Sequence, residues 1–347
     1  MTGEKQLLRK FADAHGVSGS EGNVHDVIRA EIRDHVDEVR TDRMGNLVAV
    51  KNGGDLSVML AAHTDEIGLM VNYIDEKGFS RFVTFGGWYA PTLLAQRVIL
   101  HGTKGLIHGV VGAKPPHAMS EEERKKGVKT EEMFIDVGAS SAKEVGRLGI
   151  EIGTPVTIDR ELADLGYRRV TGKAFDNRVG CVLLARTLQQ MDSPHTVYAV
   201  FTAQEEVGAK GARTSAFELE PDCAIATDVT FPGDHPEIKK EDSSLVMGKG
   251  PAITVSDASG RGLIADRRMV AWLRSVAEKK KIPYQLKVGH GGTTDASAIH
   301  LVRAGIPSTV ISVPVRYIHS PVEVVDLRDI EMSVKLLVEA LRIRPDL

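Results

Sequence analysis

Residues 57–68 read SVMLAAHTDEIG, an unbroken apolar run from Val58 to Ala62 that ends on His63, Thr64 and Asp65. An alternating strand would have one wet face; a continuous apolar run of this length fits a strand covered on both faces, as at the centre of a parallel sheet. Such a strand needs helices on either side, so the run predicts an α/β fold. Working outward, Leu7, Leu8, Phe11 and Ala12 fall at helical spacing. After GVSGSEG, Val24, Val27, Ile28 and Ile32 do the same, so two amphipathic helices open the fold. EVRT and NLVAV around Arg43-Met44-Gly45-Asn46 predict a hairpin leading into the buried run.

Beyond Ile67 the pattern changes. GLMVNYI, FSRFVTF, RVILHG, LIHGVV, MFIDVG and TPVTID are short β segments separated by turn residues, which predicts a small barrel or sandwich. Inside it, KPPHAMSEEERKKGVKTEE carries five Glu and four basic residues between positions 121 and 132 and reads as a solvated, mobile loop, with His117 an exposed bystander. After Ala174, helix and strand alternate again: a helix from Asn177 to Met191, strands HTVYAVFTA and CAIATD, a helix from Leu263 to Lys281, strand STVISV and a final helix from Leu327 to Arg342. The expected architecture is a mostly parallel sheet with helices on both faces, formed by residues 1–66 and 164–347, interrupted by an inserted small β domain at 67–163.

Composition narrows the functional classes. Lys plus Arg is 44 against 47 Asp plus Glu in 347 residues, a net charge of −3, too balanced for an electrostatic footprint on nucleic acid or anionic lipid. No stretch reaches the ~18 apolar residues of a membrane span, and MTGEKQLLRKFADAHG lacks a secretory signal's apolar core, so the expectation is a cytoplasmic protein. Cys181 and Cys223 make neither a disulfide framework nor a CxxC pair and read as reduced core thiols. Glycine, 34 residues, exceeds its usual share without low complexity and should mark turns and close backbone approaches.

The polar residues that end the apolar runs carry the chemistry. His63 and Asp65 follow SVMLAA, Glu205 and Glu206 follow TVYAVFTAQ, Asp228 follows CAIAT, His319 follows STVISVPVRYI, and Asp176 opens the helix after TGKAF. Any one of these is ordinary in a structural role. Ligands of open α/β sheets bind beyond the carboxyl ends of the strands, where these segments would converge. Two imidazoles with several carboxylates and no thiolate suit zinc, cobalt or manganese.

AAHTDEIG (61–68), AFDNRVG (174–180), TAQEEVGAKGA (202–212), ATDVT (226–230), GHGGTTDASAI (289–299) and YIHSP (317–321) together resemble the tetrahedral, or TET, aminopeptidases, a dinuclear metallopeptidase family that includes the glutamyl aminopeptidases. The likeness spans essentially the whole chain, in order. It implies two divalent ions per subunit, zinc or cobalt foremost and manganese as well. Carried to matching positions, it implies that Asp176 bridges both, His63 and Asp228 complete one, and Glu206 and His319 complete the other. Glu205 would be the general base, and Asp65 would accept the other ring N–H of His63 and fix its tautomer. The ions would lower the pKa of a bridging water, Glu205 would take its proton, and the hydroxide would attack the scissile carbonyl of a peptide's first residue. The glycine-rich loop Gly289 to Asp295 reads either as backbone lining a substrate pocket or as an ordinary loop, and His290 within it has no assigned role. The resemblance further implies a homododecamer built from dimers, with residues 67–163 making dimer contacts.

Rival readings differ in their requirements. A glycoside hydrolase needs paired carboxylates roughly 5–9.5 Å apart across a sugar bond, which leaves His63 and His319 unexplained. An N-acyl amino-acid deacylase or carboxypeptidase would use the same dinuclear centre on a blocked amine, and a non-catalytic scaffold would keep the pocket idle.

Overall fold

The apolar run decides the layering as its composition requires. In the computed structural model, which describes residues 3–257, 261–289 and 291–347, the hairpin forms from β1 (Glu38–Thr41) and β2 (Leu47–Lys51) and is followed by β3 (Gly54–His63). Successive side chains of a strand point to opposite faces. Val58, Leu60 and Ala62 accordingly enter the larger apolar core, while Met59 and Ala61 enter a second cluster on the other face.

The chain then leaves the sheet. β4 (Gly68–Ile74), β5 (Ser80–Phe85), β6 (Arg97–Gly102), β7 (Gly105–Gly112), β8 (Phe134–Asp136) and β9 (Pro155–Ile158) close a barrel in the order β4-β5-β8-β7-β6-β9. Closure settles the barrel-or-sandwich alternative and leaves no free strand edge. Its own core contains Leu69, Val71, Val98, Leu100, Ile135 and Val156. The charged segment expected as a loop holds a short helix, Glu121–Lys126. The local reason is the order of its charges: Ser120 and Glu123 form a reciprocal capping box, with acids in the first turn and bases in the last, matching the helix dipole. His117 is exposed, as expected.

The return to the sheet brings β10 (Ala163–Asp164), β11 (Arg169–Gly172), β12 (His195–Thr202), β13 (Cys223–Thr230), β14 (Ala252–Asp257), β15 (Gln285–Gly289), β16 (Ser308–Arg316) and β17 (Glu323–Asp326). The order is β1-β2-β12-β3-β13-β16-β17-β11-β10, with β14 joined to β16 and β15 to β14. β12, β3, β13 and β16 are parallel neighbours and form the centre, flanked by antiparallel pairs. The architecture is thus α/β with an inserted barrel.

Helices cover both faces. Phe175–Gln190 lies against β3 and β13 beneath the helices Gly3–Asp13 and Leu327–Leu341, and is buried on almost every side. Gly180 permits this: a Cβ there would stand 2.8 Å from the Thr227 carbonyl oxygen. The helix expected from Leu263 starts instead at Arg267, because Asp266 caps it by accepting from the Arg268 N–H while Leu263 is buried ahead of it. Lys210–Leu219, a helix that lacks a clear apolar stripe in the sequence, packs on the opposite face. Both cysteines are unpaired and buried, and burial pushes each thiol up to about 12, as inert core thiols require. Among the described residues no helix is long and apolar enough to cross a membrane.

Candidate metal centre

The parallel strands β3, β12, β13 and β16 aim their carboxyl ends at one crevice. His63 is the last residue of β3, Asp228 lies near the end of β13, Glu205 and Glu206 follow β12, His319 follows β16, and Asp176 enters from the start of its helix. All the residues singled out in the sequence meet here. Ligand-capable atoms of His63, Asp176 and Asp228 lie within 4.8 Å of one another, and so do those of Asp176, Glu206 and His319. Asp176 belongs to both groups: its Oδ1 is 3.1 Å from His63 Nε2, and its Oδ2 is 3.3 Å from His319 Nε2. Glu206 Oε1 is 3.4 Å from the same His319 nitrogen. Glu205 belongs to neither group, with Oε2 3.8 Å from His63 Nε2.

Asp65 is placed differently from its expected contact. The His63 Nδ1 lies 3.0 Å from the backbone carbonyl of Asp65, and the carboxylate stands at 3.5 Å. That carboxylate instead accepts from the backbone N–H groups of Glu205 and Glu206, at 3.0 and 3.1 Å, and from the Ser18 hydroxyl at 2.6 Å. Sequence order hides this, since those N–H groups are some 140 residues away.

The electrostatics describe a cluster short of positive charge. Burial first, then neighbouring carboxylates, pushes Glu205, Glu206 and Asp228 up. Burial opposes charging of His319, yet Asp176 and Glu206 raise it to about 11. His63 is likewise raised against its burial, by Glu205 and by Asp176 and Asp65. Among the described residues none of these carboxylates is paired with Lys or Arg, and Glu206 Oε1 is buried without a hydrogen bond. Imidazole nitrogens and carboxylate oxygens around a shared carboxylate fit two divalent ions.

Several residues of the site escape a reading of the sequence. Glu323 is buried and accepts from the N–H groups of Asp176 and His319. Asp295 is buried beside the cluster, accepts from Thr202 Oγ1 at 2.6 Å, and is raised to about 6 by burial. Beneath the site Glu66 pairs with Lys173 at 2.8 Å and Arg178 at 3.5 Å; burial pushes Glu66 up, but the two cations outweigh it and hold it low. Arg178 also donates to the carbonyls of Thr64 and Ala14, tying the first helix to the end of β3. Removing one partner of such a buried ion cluster costs about 3–5 kcal/mol. The barrel contributes Gly86 and Gly87: a Cβ on the first would stand 2.7 Å from Glu206 Oε2, and on the second 2.9 Å from His319 Nδ1. Their FGGW context reads as a plain turn, so only the fold reveals them.

A cleft of about 790 Å³ opens above the cluster, and Gly289, Gly291, Gly292 and Thr293 line it. The glycine-rich loop is therefore wall rather than remote surface. His290 lies outside the described residues.

The family described as M42 glutamyl aminopeptidase matches residues 45–336. The lysyl aminopeptidase of Pyrococcus furiosus is 36% identical over 338 residues, covering 95% of this chain and 94% of that one. The structure of an aminopeptidase from the archaeon Desulfurococcus kamchatkensis superposes with a TM-score of 0.94 at 44% identity, covering 99% of this chain and 95% of that one. The Pyrococcus horikoshii TET1 peptidase, whose chains assemble into a tetrahedron or a large octahedral shell, superposes with a TM-score of 0.88 at 33% identity, covering 98% and 99%.

Proposed function

The chain belongs to the M42 glutamyl aminopeptidase family, and from that premise we propose that it is a metal-dependent aminopeptidase that removes the first residue of peptides. The observation that carries the reading is Asp176, shared between two ligand groups, with Glu205 beside His63 of one, next in the chain to Glu206 of the other, and a member of neither. His63, Asp176 and Asp228 would hold one divalent ion and Asp176, Glu206 and His319 the other; zinc, cobalt and manganese suit this donor set. When bound, two such ions supply Lewis-acid charge that acidifies water and stabilises a developing oxyanion.

The chain's own groups do the rest. Burial raises Glu205, which suits a carboxylate that must both take and return a proton. It takes the proton of the attacking water and delivers it to the leaving amine. Asp65 holds the backbone of Glu205 and Glu206, so the two adjacent acids keep separate directions. The peptide would lie in the cleft walled by Gly289, Gly291, Gly292 and Thr293.

The decisive experiment follows hydrolysis of an amino-acid amide and of its N-acylated counterpart, before and after chelation. Hydrolysis of the free-amine substrate alone, lost on chelation and restored by zinc or cobalt, is expected. Glu205→Gln should keep both ions and lose about 10²–10⁴-fold in kcat. Chelator-resistant activity, cleavage of the blocked substrate, or an active Glu205→Gln enzyme would overturn the respective part of the reading. We further propose a closed shell of twelve chains built from dimers through the domain at 67–163, where Tyr73, Val83 and Leu106 are exposed apolar residues. Light scattering should then report a particle of twelve chains rather than one or two.

A further inference from the structure

Glu323 has no role in the chemistry above, yet it is only 2% exposed and lies between two ligand-bearing segments. It opens β17, the strand that separates β16 from β11. Gly172, the last residue of β11, is its partner on one side, and the neighbouring Val324 faces Arg316, the last residue of β16, on the other. β11 continues directly into Asp176 and β16 directly into His319. One side chain at the end of the middle strand therefore reaches the continuations of both neighbours. Its Oε2 accepts from the Asp176 N–H and its Oε1 from the His319 N–H, each at 3.0 Å.

Neither ligand is fixed there by a ladder. Asp176 has non-helical angles at the entry of its helix, and His319 lies in the left-handed region with φ +60°, as does Tyr317 at +62°. Left-handed backbone at a bulky residue persists only where surrounding contacts enforce it.

We propose that Glu323 is a positioning residue: its two carboxylate oxygens tie Asp176 to His319 and thereby set the Asp176–Glu206–His319 group in its ion-binding geometry. The inference rests on the reading of these side chains as metal ligands. A carboxylate suits the task because both of its oxygens accept; glutamine offers one acceptor and turns its NH₂ donors toward the other N–H. His63 and Asp228, by contrast, sit in β3 and β13, and Glu323 hydrogen-bonds to neither. The His63 group thus feels Glu323 only through the shared Asp176, and the ion of the His319 group should respond more strongly to its loss.

The test uses the full chain, stripped of metal, as the unaltered protein and as Glu323→Gln. Zinc is titrated calorimetrically into each, and hydrogen exchange is followed in the metal-free proteins over 174–178 and 317–321. The unaltered chain should bind two equivalents. Glu323→Gln should bind the ion of the Asp176–Glu206–His319 group about 10–100-fold more weakly and the other ion, which shares only Asp176, by a smaller factor, while both segments exchange faster and the strands do not. Glu323→Asp, too short to span both N–H groups, should weaken the same ion and serves if the glutamine variant fails to fold. Unchanged affinity for both ions, equal loss of both, or unchanged exchange in the two segments would overturn the proposal. Fewer than two equivalents on the unaltered chain would instead break the metal reading, and the exchange comparison alone would then decide whether Glu323 holds the two segments.

Discussion

His63 and Asp228 sit inside paired strands, whereas Glu206 and His319 sit on loops beyond the last ladder hydrogen bond. His63 pairs in register with Thr202 and Asp228 with Ser312, so the first group inherits its geometry from the sheet. The His63 side chain is 2% exposed and that of His319 is 37%. The second group is positioned by side chains and backbone from elsewhere: Asp65 under Glu206, Glu323 under His319, and the barrel's Gly86 and Gly87 packed against both. One half of the site is thus as rigid as the sheet, and the other depends on a few hydrogen bonds between distant segments.

Three substitutions probe that contrast. Asp176→Asn touches both halves and should have the largest effect: metal analysis of the purified variant should show both ions lost, and hydrolysis should fall by about 10³-fold, the several kcal/mol of charge stabilisation they supply. Retention of one ion would mean that Asp176 is not shared. Asp65→Asn leaves one of the Glu205 and Glu206 N–H groups facing an amide donor. It should weaken the ion of the Glu206 group about 10–100-fold in a zinc titration, and equal weakening of both ions would erase the contrast. Gly87→Ala should have the smallest effect, raising KM and weakening the His319-bound ion by less than about tenfold. The added Cβ would stand 2.9 Å from His319 Nδ1, but a partly exposed ring can give way without the ~1–3 kcal/mol of an overpacked core. A loss as large as that of Asp176→Asn would show the second half to be as rigid as the first.

The site residues of both halves were legible in the sequence, and the residues that hold them in place were not. His63, Asp228, Glu205, Glu206 and His319 stand out because each interrupts or follows an apolar run, and a run of buried strand length also tells where the strand ends. Glu323 looks like one acid before a final helix, and Gly86–Gly87 like a turn. Arg178 is fully buried because its guanidinium meets the carbonyls of Ala14, just after the first helix, and Thr64, just after β3, and the carboxylate of Glu66. Its partners come from three separate segments, so no local pattern announces it. The helix at Glu121–Lys126 was legible in principle, since its capping box and its charge order are both local.

By itself the sequence determined the α/β layering, the β-rich insertion and the residues able to bind ions, because periodicity and the polar ends of apolar runs are local consequences of burial. Only the tertiary structure decided that the sheet is parallel at its centre and antiparallel at its flanks, that the insertion closes as a barrel, and that Asp176 faces two histidines. It alone decided which buried acids accept from distant backbone N–H groups, as Asp65 and Glu323 do. Hydrogen bonds to distant N–H groups leave no period in the chain, since their energy depends on approach in space and not on spacing in sequence.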